Sequence, residues 1–317
     1  MYYHFKVKIL SLLLLISMFI VSVSIVFAQS ESKPIVVTST TVLSSIVRDL
    51  AGDRVSVIAI VSPSVCPAHY DIKPSDVIVF RRAKLILYHG FEPWIKQLKE
   101  VSGTQAPLVK ISGPWNTPSN LKRLYEKVAK VLSERLGLNV NSSLNKALKA
   151  IDEVALRLKS IAEEYDFSSV KVIVMKWQKP FIVWLGFNVV KDYPPPERIS
   201  TKDMIELERL GREYKVQLVI DNLQSGVWFG EELARRIGAV HVVLTNFPGT
   251  LTGLNNVTKV MEYNVEQLVK AIENYKTLSQ IARLEEQITL YKYIIIALIV
   301  VAVLELVLII ALRVSRK

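Results

Sequence analysis

"KPIVVTSTTVLSSIVRDLAGDRVSVIAIVS", Lys33–Ser62, decides the fold. "IVVTST" is a short β-branched run. "TVLSSIVRDLAG" spaces its apolar residues at helical steps and stops at Gly52, and "RVSVIAIVS" is β-branched again. Strand, helix and strand in that order make a parallel sheet with the helix on one face. Further along, "PSDVIVFRRA" predicts a helix opened by Pro74, "KLILYHG" a strand, "EPWIKQLKEV" a helix and "APLVKIS" a strand. From Ser119 the pattern turns helical, and "LNKALKAIDEVALRLKSIAEEY" (Leu144–Tyr165) runs without Gly or Pro. The alternation then resumes from "VKVIVM" to "AVHVVLTN" and ends in a helix from "VTKVMEY" onward. The expected architecture is therefore two α/β lobes, residues 34–140 and 168–278, each a parallel β-sheet flanked by helices. One long connecting helix, 141–167, joins them. Only the order of elements repeats between the lobes, not the sequence.

The two ends of the chain are apolar. Residues 1–28 run from Lys6 and Lys8 through "ILSLLLLISMFIVSVSIV" to "VFAQS", the basic, apolar and small order of an export signal. "YIIIALIVVAVLELVLIIAL", 293–312, is long enough to cross a bilayer and is followed by Arg313, Arg316 and Lys317. By the positive-inside rule that tail, 313–317, is cytoplasmic, which places the central part outside the cell. Residues 279–292 read as a stalk. Glu305 is costly inside such a span and marks either a helix contact or a snorkelling position. The chain of 317 residues carries a formal charge of +11, spread without a basic block interleaved with aromatics, so nucleic acid is not an expected partner.

The single cysteine, Cys66, cannot form an internal disulfide. It lies in "VCPAHYDIKPSD" with His69 and Asp71, all of them zinc-ligand types, on a loop that follows a strand. Ligands of parallel α/β sheets bind beyond the carboxyl ends of the strands. Cys66 also reads as a buried apolar filler. His89 follows "KLILY", where it either enters the cleft or caps the turn, and His241 within "AVHVVL" reads as a packed strand residue. From the second lobe come Asp221, Asn222 and Gln224 after "VQLVI", and Gln178 in "KWQKPF". Amides suit an oxygen-rich ligand or the orientation of first ligands better than a bare transition metal. Trp115 and Trp177 are candidate cleft walls, and "YPPPER" with Glu197 is a stiff segment that can lie over the cleft.

"IVVTST…VLSSIVRDLAGDRVSVIAIVSPSVCPAHYDIKPSDV" and "AKLILYHGFEPWIKQL" resemble the solute-binding proteins of zinc and manganese ABC importers, over Pro34–Leu278. The resemblance implies a metal site between the lobes made of three histidines and a carboxylate. In this chain Pro67 is followed by Ala68, so His69 falls one place late. "GPWNTPSN" keeps Trp115 and Pro118 without a histidine, "VMKWQKPF" has none, and "TNFPG" stands where an aspartate is usual. Asp221 occupies the carboxylate's place. The implied function is extracellular capture of a divalent metal, zinc first and manganese second, or of a metal chelate. Delivery would be to an ABC permease and its ATPase in the same membrane, with no catalysis. The alternatives from other classes are a thiol enzyme built on Cys66 and a surface adhesin. A membrane tether without a lipid-bearing cysteine suggests a cell with one membrane, an archaeal one, and the long connecting helix suggests a small rocking of the lobes.

Overall fold

A computed structural model describes residues 33–314. The export-signal reading of 1–28 and the last residues of the basic tail lie outside the described residues. The first lobe holds β1 (Ile35–Thr38), α1 (Thr41–Ala51), β2 (Ser56–Ala59), α2 (Pro74–Arg82), β3 (Leu85–Tyr88), α3 (Ile95–Ser102) and β4 (Leu108–Lys110). Two helices follow, α4 (Pro118–Leu136) and the connecting α5 (Asn141–Glu164). The second lobe holds β5 (Lys171–Met175), α6 (Lys179–Leu185), β6 (Asn188–Tyr193), α7 (Thr201–Glu213), β7 (Leu218–Asn222), α8 (Trp228–Ile237) and β8 (Val240–Leu244). A single helix, α9 (Val257–Val314), completes the chain.

Both sheets are wholly parallel and share one topology, β2-β1-β3-β4 and β6-β5-β7-β8. The repeated element order in the sequence is thus a repeated sheet. Each sheet is covered on both faces, which is why its central strands read as near-continuous apolar runs rather than alternating ones. In the first lobe Val37 and Ile86 face Phe80, Ile95 and Leu98 of α2 and α3. Val36, Leu85 and Leu87 face the other way, toward α1 and α4. In the second lobe Ile173, Met175 and Val219 meet Leu207, Phe229 and Leu233 of α7 and α8. Val172, Val174, Leu218 and Ile220 face inward, and they join the same cluster as Val36 and Leu87 of the first lobe.

The inner faces of the two sheets therefore share one core, and α5 runs through it. Ile151, Val154, Leu158 and Ala162, at three- and four-residue steps, are the buried stripe of this helix. Ile151, Val154 and Leu158 each stabilise the fold by roughly 1.5–3 kcal/mol through burial.

The C-terminal helix, the stalk and the apolar segment form one continuous helix, α9. Its 58 residues extend about 87 Å at 1.5 Å per residue. The first turns bury Val257, Met261, Val265 and Leu268 against the second lobe, while residues beyond Ile272 are almost all exposed. With no Gly or Pro after Val257, nothing in the sequence interrupts the helix where the stalk was expected. Its distal part is long and apolar enough to cross a membrane.

One close approach fixes the outer layer of the second lobe. A Cβ added at Gly230 of α8 would sit 2.1 Å from Asp221 Oδ2 and 2.8 Å from the Tyr193 hydroxyl. Both groups are fully buried and held by hydrogen bonds, so neither can retreat cheaply. Gly230→Ala should lower unfolding stability by about 1–3 kcal/mol, the usual cost of overpacking. Urea unfolding of the variant tests this, and an unchanged midpoint would show that α8 can lift away freely.

Candidate functional site

The carboxyl ends of the two sheets face each other across a cleft of about 700 Å³. The first lobe builds its half on the turn Cys66-Pro67-Ala68-His69. Within it the His69 amide donates to the Cys66 carbonyl (3.1 Å). Two motifs of the sequence hold this turn in place. In "PSD", Asp76 is buried, accepts from the Lys73 amide at 2.8 Å to open α2, and accepts from the Tyr70 hydroxyl at 2.9 Å. In "EPW", Trp94 Nε1 donates to the Pro67 carbonyl at 2.8 Å, and its ring lies 5.3 Å from that of Tyr70.

The glutamate of "EPW" organises the neighbouring turn. Glu92 is buried and accepts from the amides of His89 (2.9 Å) and Gly90 (2.6 Å) and from Ser39 Oγ (2.5 Å). Gly90 has φ +105°, a conformation other residues rarely adopt, and lets the turn double back. His89 is thereby set into the cleft with 3% of its surface exposed. Its Nε2 pairs with Thr40 Oγ1 at 2.9 Å, and its ring stacks on Trp115 (4.6 Å) and Phe91 (5.4 Å). Both readings of His89 hold together, since it lines the cleft and is fixed in the turn.

The second lobe contributes the segments after β5, β7 and β8. Gln224 is fully engaged. Its Nε2 donates to Pro63 O (2.9 Å) and Thr245 Oγ1 (2.8 Å), and its Oε1 accepts from Asn222 Nδ2 and the Asn246 amide. The bond to Pro63 crosses between lobes. Two others do the same, Trp115 Nε1 to Asn246 O at 2.9 Å and Asn116 Nδ2 to Trp177 O at 2.7 Å. Trp115 and Phe247 also meet across the gap, at 5.8 Å.

Of the residues expected to form the site, Cys66, His69, His89, Trp115, Asn222 and Gln224 line the cleft. Three expectations need correction. Asp71 is exposed and lies outside the lining, because the chain turns outward after His69 to enter α2. Asp221 is fully buried on the opposite side of its strand. The period-two alternation of β7 sends Asn222 toward the cleft and Asp221 under α8, where Tyr193 Oη donates to it at 2.5 Å and His241 Nε2 at 2.8 Å. Gln178 is fully buried with both ends of its amide unpartnered, and it is not part of the lining. Sequence reasoning missed Asn246, Phe247, Phe91, Lys176 and Arg198 as lining residues. "TNFPG", noted only for its lack of an aspartate, was the signal for the first two.

Among the described residues no three His, Cys, Asp or Glu side chains converge as a metal site would require. The donor set therefore does not fit a bare zinc ion held by protein groups alone, which takes three or four such ligands.

Burial pushes the His89 imidazole down to about 4, outweighing the nearby Glu92 charge that favours protonation. An unfolded histidine takes its proton near 6.5, so between these values the unfolded chain binds more protons. Stability from this group is complete above 6.5 and is lost as the pH falls toward 4, by roughly 3 kcal/mol in all. Urea unfolding of the chain and of His89→Gln across that window should give curves that diverge by about this amount. Parallel curves would mean that His89 is not desolvated.

A family model described as zinc-uptake complex component A, periplasmic (ZnuA), matches residues 36–271. A curated relative, the uncharacterized protein RP014 of Rickettsia prowazekii, is 27% identical over 177 residues, 50% of this chain and 57% of its own length, so the match spans little over half of that relative. The solved structures similar to this one include a manganese-bound periplasmic metal-binding protein from Candidatus Liberibacter asiaticus, with 18% identity and TM-score 0.66 over 76% of this chain and 100% of that one. The periplasmic zinc-binding protein TroA of Treponema pallidum gives 18% identity and 0.66 over 76% and 99%. A crystal structure of ZnuA gives 19% and 0.64 over 76% and 99%. At these identities the structures speak for the fold, and the family model covers well over half the chain: the chain belongs to the ZnuA family of periplasmic metal-binding receptors.

Proposed function

We propose that the chain is the extracellular receptor of an ABC importer and that its cargo is a small chelated metal, zinc before manganese. It would hand this cargo to a permease and ATPase in the membrane that α9 enters. The observation that carries the reading is the mismatch between cleft and donors. A cavity of about 700 Å³ lies within the range of sites for small organic molecules, roughly 300–1,000 Å³. A bare ion needs no such volume, and the described residues bring no trio of metal donors together there. A chelate brings its own donors and asks the protein for shape, stacking and hydrogen bonds. The cleft offers these in Trp115, Phe247, Asn222 and Asn246.

The neighbours named for zinc and manganese support a metal as part of the cargo. Cys66 and His69 lie on one turn of the cleft lining, which supports a role for them in completing the coordination of an incoming complex. A thiol enzyme is disfavoured by the same lack of converging acid, base and nucleophile groups. An adhesin needs no such enclosed cleft.

Thermal unfolding of the metal-stripped full chain in detergent tests the reading. The additions are zinc and manganese alone, and each with citrate, L-histidine or pyridine-2,6-dicarboxylate. A complex present at 100 times its dissociation constant should stabilise by about 2.7 kcal/mol, while the bare ion should give little shift. An equal shift with bare zinc, lost in Cys66→Ser and His69→Ala, would overturn the chelate reading in favour of a bare-ion site.

A further inference from the structure

The charges around the cleft are inverted relative to what a cation needs. Every carboxylate near the two rims except one is withdrawn. Glu92 is capped by two amides and a hydroxyl, Asp221 lies under α8, and Asp71 faces solvent outside the lining. Glu197 alone remains in the lining. Lys176 and Arg198 line the same space from the second lobe. Among the described residues neither has a carboxylate within ion-pair distance, although neighbouring Lys179 and Lys191 are paired with Asp192 (2.7 Å) and Glu206 (3.1 Å). In a chain of +11 lone surface cations are common. These two, both exposed, differ in lining the cleft itself. At the first lobe's edge, Lys110 Nζ lies 2.7 Å from where a Cβ on Gly90 would sit, beside the His89 turn.

The same lining carries aromatic rings, with Phe91, His89 and Trp115 within 27° of parallel and Phe247 tilted by 42° from Trp115. Phe91, His89, Trp115 and Phe247 form a run of rings with centroid separations of 5.4, 4.6 and 5.8 Å. At its foot the Asn246 side chain is 92% buried, lines the cleft, and has an Oδ1 without a partner. Such a group in a native site awaits a hydrogen bond. The neutral His89 ring adds no charge of its own.

We propose that the cargo recognised here is a planar organic anion, an aromatic carboxylate or its metal complex. Its face lies on the Trp115 ring, its carboxylates meet Lys176 and Arg198, and an N–H or O–H on one edge donates to Asn246 Oδ1. The inference rests on reading the cleft as a solute site and names the class of solute. Charge-assisted bonds to carboxylate are the strong ones, and arginine takes them in pairs.

The test compares 4-hydroxypyridine-2,6-dicarboxylate, whose ring hydroxyl can donate to Asn246 Oδ1, with its neutral dimethyl ester, which keeps the ring and that hydroxyl. Each is titrated into the full chain in detergent, with and without zinc, and followed by tryptophan fluorescence. The dicarboxylate should bind at least about tenfold more tightly. That preference should shrink with added salt and vanish in K176Q/R198Q, whose unfolding midpoint checks the fold. Zinc-dependent binding would identify the complex as the bound form. Tight binding without zinc would support the planar anion while overturning the chelated-metal reading. Equal affinity for the two probes would overturn the charge assignment. Binding of zinc citrate but of neither flat probe would overturn planarity and leave the chelate reading standing. A response to bare zinc alone would overturn both.

Discussion

The burial of one stripe of α5 between two sheets is the constraint on which the rest depends. Ile151, Val154, Leu158 and Ala162 belong to a core that also contains the inner faces of both lobes. Because that core is continuous, the lobes cannot swing apart without exposing it to water, at about 25 cal/mol for each Å² uncovered. The carboxyl ends of the two sheets are therefore held opposite each other, and the cleft exists before any ligand arrives. The cross-lobe bonds from Trp115, Asn116 and Gln224 lie at its margin and are few. Small adjustments at the rim are cheap and wide opening is not.

Around this rigid frame the polar groups have been reassigned rather than removed. A carboxylate buried without compensation is expensive, so each one near the site has acquired partners of its own. Glu92 has two backbone amides and a hydroxyl, and Asp221 has a phenol and an imidazole. Both are committed to structure. Tyr193 is correspondingly pushed well above its ordinary range by burial and by the Asp221 charge, which keeps it a hydrogen-bond donor at any accessible pH. Glu197 is the one carboxylate left in the lining of the cleft.

Most of the fold was legible because it rests on periodicity. Helical steps in "TVLSSIVRDLAG" and continuous apolar runs such as "LILY" and "LVI" report burial on one helix face or on both sheet faces, and those are local properties of the sequence. The loops Cys66–His69 and His89–Phe91 were legible as cleft loops by position alone, at the carboxyl ends of strands. What was not legible is which way a side chain points at a strand end. Asp221 and Asn222 are adjacent, and a shift of one residue exchanges cleft for core. Only the partners waiting on the far side, Tyr193 from β6, His241 from β8 and Gly230 from α8, decide it. Those partners are distant in sequence. Asn246 was hidden for a related reason, since an asparagine after a strand reads equally well as a turn residue.

The continuity of α9 ties these two scales together. Asn264, in its second turn, clasps the end of β8, accepting from the Thr245 amide at 3.1 Å and donating to the Thr245 carbonyl at 2.8 Å. Thr245 in turn holds Gln224 and immediately precedes Asn246, which lines the cleft. Glu262, two residues earlier, pairs with Arg157 of the connecting helix. The helix whose far end is apolar enough for a bilayer is thus fastened at its near end to the cleft rim and to the shared core. A flexible linker would decouple the orientation of the lobes from the membrane. A helix without Gly or Pro instead transmits its direction over its length, so its apolar far end and the mouth of the cleft keep a fixed relation.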